Sequence, residues 1–204
     1  MIARYCYRKI LESTIAKFKY RTFSKSKRQE ADKMANYSAI AEAGASMIEV
    51  LRDNLCPEPI ISPDMIGLCS PAETDDLQLG LHLYSIKQNR EYRRDGDPLL
   101  NLTLYYLLTA YSDADIQERA YDESYILGAA IQTLNENSTL GSAYLQGSLG
   151  SDGTDVRIDL HYLTPEEMQK IWIFPNVPYR TSVAYMVYPI IIDGGGFMAG
   201  PRVR

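Results

Sequence analysis

From Leu99 to Asp113 the sequence alternates apolar and polar residues like a strand. Leu100, Leu102, Leu104, Tyr106, Leu108 and Ala110 share one parity, and Asn101, Thr103, Tyr105, Leu107, Thr109 and Tyr111 share the other. Successive side chains of a strand point to opposite faces, so the first set lines the buried face of a sheet. The second set is mixed, semi-polar and rich in tyrosine. A face of that kind suits solvent, a helix or another subunit, and periodicity alone does not choose among them.

The flanking segments supply partners for this strand. Leu77 to Gln88 alternates with Leu77, Leu79, Leu81 and Leu83 inward and Gln78, His82 and Tyr84 outward. With the charged turn Asn89 to Pro98, it predicts an antiparallel hairpin with the Leu99–Tyr111 strand. Val156, Ile158, Leu160 and Tyr162 alternate as a third strand, and Arg180 to Asp193 is a long β-prone last strand. Helices are expected between them. Ser38 reads as the N-cap of a helix to about Leu55, with Ile40, Gly44, Met47, Ile48, Leu51 and Leu55 on one stripe and Cys-Pro-Glu-Pro as its stop. A second helix spans about Ile116 to Asn135, burying Ile126, Leu127, Ala130, Ile131 and Leu134. Thr164-Pro165-Glu166-Glu167 joins an N-cap, a proline at the first helical position and a glutamate at the third, a specific start for a short helix ending near Trp172–Ile173.

Two stretches read as loops. Residues 57–76 hold four prolines and predict irregular structure with a short extended piece at Ile60–Ile61, and residues 136–153, polar and glycine-rich, predict a mobile connection with at most one short strand or turn. The fold class is α+β, mainly an antiparallel sheet with helices packed on it.

Charge divides the chain. The formal net charge of -5 conceals a basic head, residues 1–33, with 10 Lys+Arg against 3 Asp+Glu, and an acidic remainder with 11 against 23. An acidic body argues against nucleic-acid binding by the main domain. No run reaches the roughly 20 apolar residues that span a bilayer. Three cysteines, Cys6, Cys56 and Cys69, without Cys-x-x-Cys spacing, support neither a disulfide framework nor a zinc site and fit folding in the cytosol.

Little in the sequence carries catalysis. His82 and His161 lie on predicted strands with no ligand spacing around them and read as surface or satisfied histidines. Glu166–Glu167 and Asp75–Asp76 are adjacent rather than facing, and the first pair is explained by helix capping. Gly194–Gly196 lacks the spaced glycines and following helix of a phosphate loop and reads as a hinge. No catalytic, cofactor-binding or metal-binding residue is assigned. Trp172 reads as a core anchor.

Sixteen tyrosines stand against four phenylalanines and one tryptophan. Tyrosine joins apolar area to a hydrogen-bonding tip, which suits surfaces half-buried on assembly. Tyr84, Tyr105 and Tyr111 on the outward faces of the strands are therefore candidate partner contacts. After the hinge, Phe197 and Met198 are candidates for filling a partner's pocket, and Arg202 and Arg204 for meeting acidic groups.

Several strings in order resemble the cap, or tail-terminator, proteins of phage-tail-like contractile injection systems. They are Tyr37-Ser38-Ala39-Ile40, Leu81-His82-Leu83-Tyr84, Leu104 to Tyr111, Leu127-Gly128, Leu163 to Glu167, Ile171-Trp172, and Pro178-Tyr179-Arg180 with Ser182 to Tyr185 and Ile190 to Asp193. The likeness covers about residues 36–193, and Met34-Ala-Asn-Tyr-Ser-Ala-Ile is similar to the start of a family member. It implies a non-enzymatic α/β terminator fold that closes as a homohexameric ring, ends the inner tube at a fixed length and anchors the last sheath layer. Partners would be other copies of itself, the tube protein and the sheath protein, with assembly in the cytoplasm and the particle extracellular after release. Three parts are expected: a basic extension over 1–33, the cap domain over 34–193 and a glycine-led tail over 194–204. A terminator of a true contractile phage fits the same strings. From a different class, a small ligand-binding domain or enzyme would use the 57–76 loop.

Overall fold

The computed structural model describes residues 36–89 and 99–193. The basic extension, most of the charged turn and the tail with Phe197, Met198, Arg202 and Arg204 lie outside the described residues.

Helix α1, Ala39–Leu55, is the central rod of the core. Ala39, Ala43, Met47, Val50 and Leu51 are fully buried along it, so its apolar surface is broader than the single expected stripe. Ser38 precedes the helix, but its side chain caps nothing. Its hydroxyl donates instead to the Glu42 carboxylate. The chain turns earlier, where Asn36 Oδ1 accepts the Ser38 N–H at 2.8 Å and the Asn36 carbonyl accepts the Ala39 N–H. Asparagine is among the best residues for satisfying such orphan N–H groups.

The 57–76 stretch is more ordered than its prolines imply. A 3-10 turn, Pro63–Met65, leads into strand β1, Ile66–Leu68, which pairs parallel to β2, Leu79–Gln88. Ile60–Ile61 is not part of any strand; Ile60 alone is buried. The Arg52 guanidinium donates to the Ile66 carbonyl at 2.8 Å and 3.2 Å, tying β1 to the end of α1.

β2 pairs antiparallel with β3, Leu99–Ala110, as the alternation predicts, and β3 pairs antiparallel with β6, Ser182–Asp193. β5, Val156–Leu160, adds to the far side of β6, and β4, Thr139–Leu140, to β5. The sheet order is β1-β2-β3-β6-β5-β4. One correction concerns β5. The strand stops at Leu160, short of Tyr162, and its inward side is buried only as far as Ile158; Leu160 and Tyr162 are exposed.

Both neighbours of β3 carry a bulge. Leu83 pairs with Tyr106 and Ser85 with Tyr105, so Tyr84 is an extra residue in β2. On the other side Leu104 pairs with Val187 and Leu102 with Ile190, leaving Tyr188 and Pro189 opposite Thr103 alone. Proline cannot donate to a ladder, and a bulge is where a strand tolerates it.

Helix α2, Arg119–Glu136, lies with α1 on one face of the sheet, burying Ile126, Leu127, Ala130 and Leu134 as expected and Thr133 besides. The 136–153 segment is not a loose connection. It contains β4 and a short helix α3, Gly147–Asp152, pinned to α1. The Ser148 N–H and hydroxyl donate to Glu42 at 2.9 Å and 2.7 Å, the Leu149 N–H donates to it at 3.2 Å, and the Gln146 N–H donates to the Ser46 hydroxyl at 3.1 Å. Gly147 sits at φ 57°, and a Cβ there would run into the Glu42 carboxylate. Only glycine meets both demands at low cost.

Candidate partner interface

Alternation leaves the occupant of the second sheet face open, and a helix covers half of it. Helix α4, Pro165–Ile171, starts as the sequence predicts: the Thr164 side chain accepts the Glu167 N–H at 3.3 Å and the Glu167 carboxylate accepts the Thr164 N–H at 2.9 Å. The Thr164 N–H, and then the Thr164 hydroxyl at 3.2 Å, donate to the Glu167 carboxylate and hold it below its ordinary range. The cap sets the helix so that Met168 and Trp172 descend on Leu107 and Ala184, a small core separate from the main one. Trp172 is the anchor that the sequence predicts. Phe174 meets it edge-on at 5.9 Å and Tyr179 packs tilted at 5.7 Å.

Both histidines have structural explanations. The Phe174 ring meets His82 edge-on with centroids 5.7 Å apart, and burial holds that imidazole below its ordinary value against a bond to the Cys69 backbone that raises it. The backbone N–H of His161 donates to Ala184 O at 2.8 Å, and its ring lies edge-on to Tyr105 at 4.9 Å. Among the described residues no group of three His, Cys, Asp or Glu side chains is placed to hold a metal ion.

The three candidate tyrosines fall in three settings. Tyr84, the bulged residue, is half-buried against the Trp172 cluster; its hydroxyl is buried without a partner, and burial, then the nearby Tyr105 and Glu167, pushes it up to about 12. Tyr105 is half-buried on the uncovered half of the face, beside Tyr84 at 6.1 Å, with the Lys87 ammonium 4.9 Å from its ring centroid. Tyr111 is internal, 9% exposed, and stacked under Arg180 at 5.3 Å, with Gly80 leaving it room: a Cβ there would come 2.9 Å from the ring. Arg180 in turn pairs with Glu123 of α2. Tyr111 helps to join the layers.

Around α4 three apolar side chains stand in solvent, Tyr162 at 84% exposed, Ile173 at 76% and Tyr179, whereas exposed Leu160 pairs with Tyr185 and belongs to the main-core face of the sheet. Alternation alone would place Leu160 and Tyr162 inward. Tyr162 lies past the end of β5, and Leu160 is exposed as its last residue; no pattern of apolar residues announces that early end. The 57–76 loop lines an open hollow with Asp64, Glu73, Asp75 and Asp76 beside Cys69 and Leu77. Burial raises the Cys69 thiol, against a bond from Tyr111 that lowers it.

A curled six-stranded sheet, with three helices on one face and one short helix over half of the other, defines a mixed α+β domain. The chain belongs to the Pvc16 N-terminal domain family, whose model matches residues 46–204. Among solved structures it is similar to the sheath/tube terminator, in the extended state, of PVC, an extracellular contractile injection system. That likeness has a TM-score of 0.49 at 15% identity and covers 78% of this chain and 57% of that one. The chain thus spans less than two thirds of the terminator it is similar to. No curated protein matches it in sequence.

Proposed function

We propose that this chain is a structural terminator of a contractile injection system and not an enzyme. In this reading copies of it close as a six-membered ring on the end of the inner tube and hold the last layer of sheath. Membership of the Pvc16 N-terminal domain family carries the proposal. Exposed Tyr162, Ile173 and Tyr179 beside the second face support it, since aromatic and aliphatic groups of this kind become useful when covered by a partner. Tyr105, Tyr162 and Ile173 would face neighbouring subunits, and the tail with Phe197, Met198, Arg202 and Arg204 would reach tube or sheath. Assembly takes place in the cytoplasm and the finished particle acts outside. No helix among the described residues is long and apolar enough to cross a membrane.

The test is reconstitution. Tube and sheath proteins of a contractile injection system from the same source are co-expressed with and without this chain, and particles are imaged and their subunits counted. With the chain present, tubes end at one length under a six-fold density. Particles of one length without it, or an end density of another symmetry, overturn the proposal.

A further inference from the structure

Helix α2 presents a face that the fold of this domain does not use. Tyr121 and Tyr125, 77% and 51% exposed, stack on each other with ring centroids 6.3 Å apart and an 8° angle between planes. Gly128 continues the same face one turn on. It is exposed in mid-helix, and a Cβ there would touch nothing within 4 Å. A glycine in a helix interior is unfavourable relative to alanine, and a glycine retained for internal packing has a neighbour where its Cβ would be. Gly128 has none, so what requires a bare backbone there comes from outside the domain. In the turn that leads into the helix, Asp113, Asp115 and Glu118 are exposed, Glu118 one helical turn ahead of Tyr121. The helix dipole accounts for acidic residues at this end. It accounts for neither the paired tyrosines nor the glycine.

We infer that this face, Tyr121, Tyr125 and Gly128 with the acidic residues at its rim, docks a partner polypeptide that presents arginine or lysine side chains from a closely approaching backbone. Exposed tyrosine rings receive guanidinium and ammonium groups by stacking and cation–π attraction, and the carboxylates complete the pairing. Charge argues against a second copy of this domain as the occupant. Residues 36–89 and 99–193 contain six Lys or Arg against twenty Asp or Glu. Of those six, the Arg52, Arg119 and Arg180 side chains are already bound to Ile66, Ala114 and Glu123. The occupant is a basic partner.

The experiment titrates the full chain with a nona-arginine peptide at low salt, followed by backbone amide NMR shifts and by affinity, which keeps it independent of any tube or sheath protein and of the terminator reading. Two variants leave every charge in place: Tyr121→Ala with Tyr125→Ala, and Gly128→Leu. Shifts should concentrate at residues 113–128. Each variant should weaken binding at least fivefold, while Gly128→Leu melts no lower than the wild type because leucine is the better helix former in open space. Affinity kept within twofold by either variant, shifts spread over the whole acidic surface, or no binding at all overturns the inference.

Discussion

The carboxylate of Glu42 accepts hydrogen bonds from both the backbone N–H and the hydroxyl of Ser148, 106 residues further along the chain. A side chain of one helix thereby caps another, taking the N–H of Leu149 as well. The first N–H groups of a helix lack internal acceptors, and an anion placed there also meets the positive end of the helix dipole.

Glu42→Gln should lower stability by about 1 kcal/mol at neutral pH, the usual worth of a cap with a charged acceptor. Partial burial pushes the Glu42 carboxyl up, but the bonds from Ser38, Ser148 and Leu149 outweigh it and hold it below its ordinary 4.5. The unfolded chain therefore takes up this proton first on acidification. The contribution is complete above about pH 4.5 and is lost as pH falls through the lowered folded value. Melting curves of wild type and variant should stay apart from pH 7 to 5 and converge below 4. A gap unchanged down to pH 3 would show that the charge is not what matters.

Gly147→Ala should destabilise the domain by about 2 kcal/mol, combining the left-handed backbone penalty with displacement of the Glu42 carboxylate. Urea unfolding measures it. In the Glu42→Ala background the loss from Gly147→Ala should shrink, since the obstructing carboxylate is gone; equal losses in both backgrounds would refute the steric part.

Trp172→Ala should cost about 3 kcal/mol, because it empties the small core that fastens α4 to Leu107 and Ala184. Trp172→Phe should cost much less. The buried indole N–H has no hydrogen-bond partner, so its removal forfeits no bond. A phenylalanine variant as unstable as the alanine one would mean that the ring's size, not its apolar contact, is decisive.

Deletion of residues 1–33 should leave the melting temperature within about 2 °C of the full chain, since the core of the described residues begins at Ala39 and the charged segment has no strong apolar face to bury. A larger fall would show that the basic segment belongs to the fold.

Removal of residues 194–204 should leave a folded domain but give particles with missing ends or sheaths of irregular length. Electron microscopy of reconstituted particles decides it: normal occupancy and length would mean that Phe197, Met198, Arg202 and Arg204 do not hold a neighbour.

The parts of this fold legible in the sequence are those whose signal is local. Thr164 and Glu167 lie three residues apart, so the capping box is legible in that short string alone, and the two leucine alternations announce the β2–β3 hairpin. Residues 136–153 read as a loose connection for a physical reason. A helix of glycines and serines has the composition of a loop, and what fixes it is Glu42, a whole sheet earlier in the chain. β1 is too short to show a period, and it is placed by pairing with β2 and by Arg52. The candidate surface is legible only in part. Composition points to tyrosine, but Tyr111 is internal, and the exposure of Tyr121, Tyr125, Tyr162 and Ile173 depends on where β5 ends and which side of α2 is buried.

The surplus residue in β6 decides which isoleucines are inside. With Tyr188 and Pro189 together facing Thr103, Ile190 and Ile192 come opposite Leu102 and Leu100 and turn into the core. Loss of one codon at this point would restore an unbroken ladder and reverse everything after it, sending Ile191 and Asp193 inward in their place. A carboxylate would then sit where Ile192 now packs. The kink is thus a counting device: substitutions within it can drift, but insertions and deletions there are closed to this chain unless a second one, further along, resets the count.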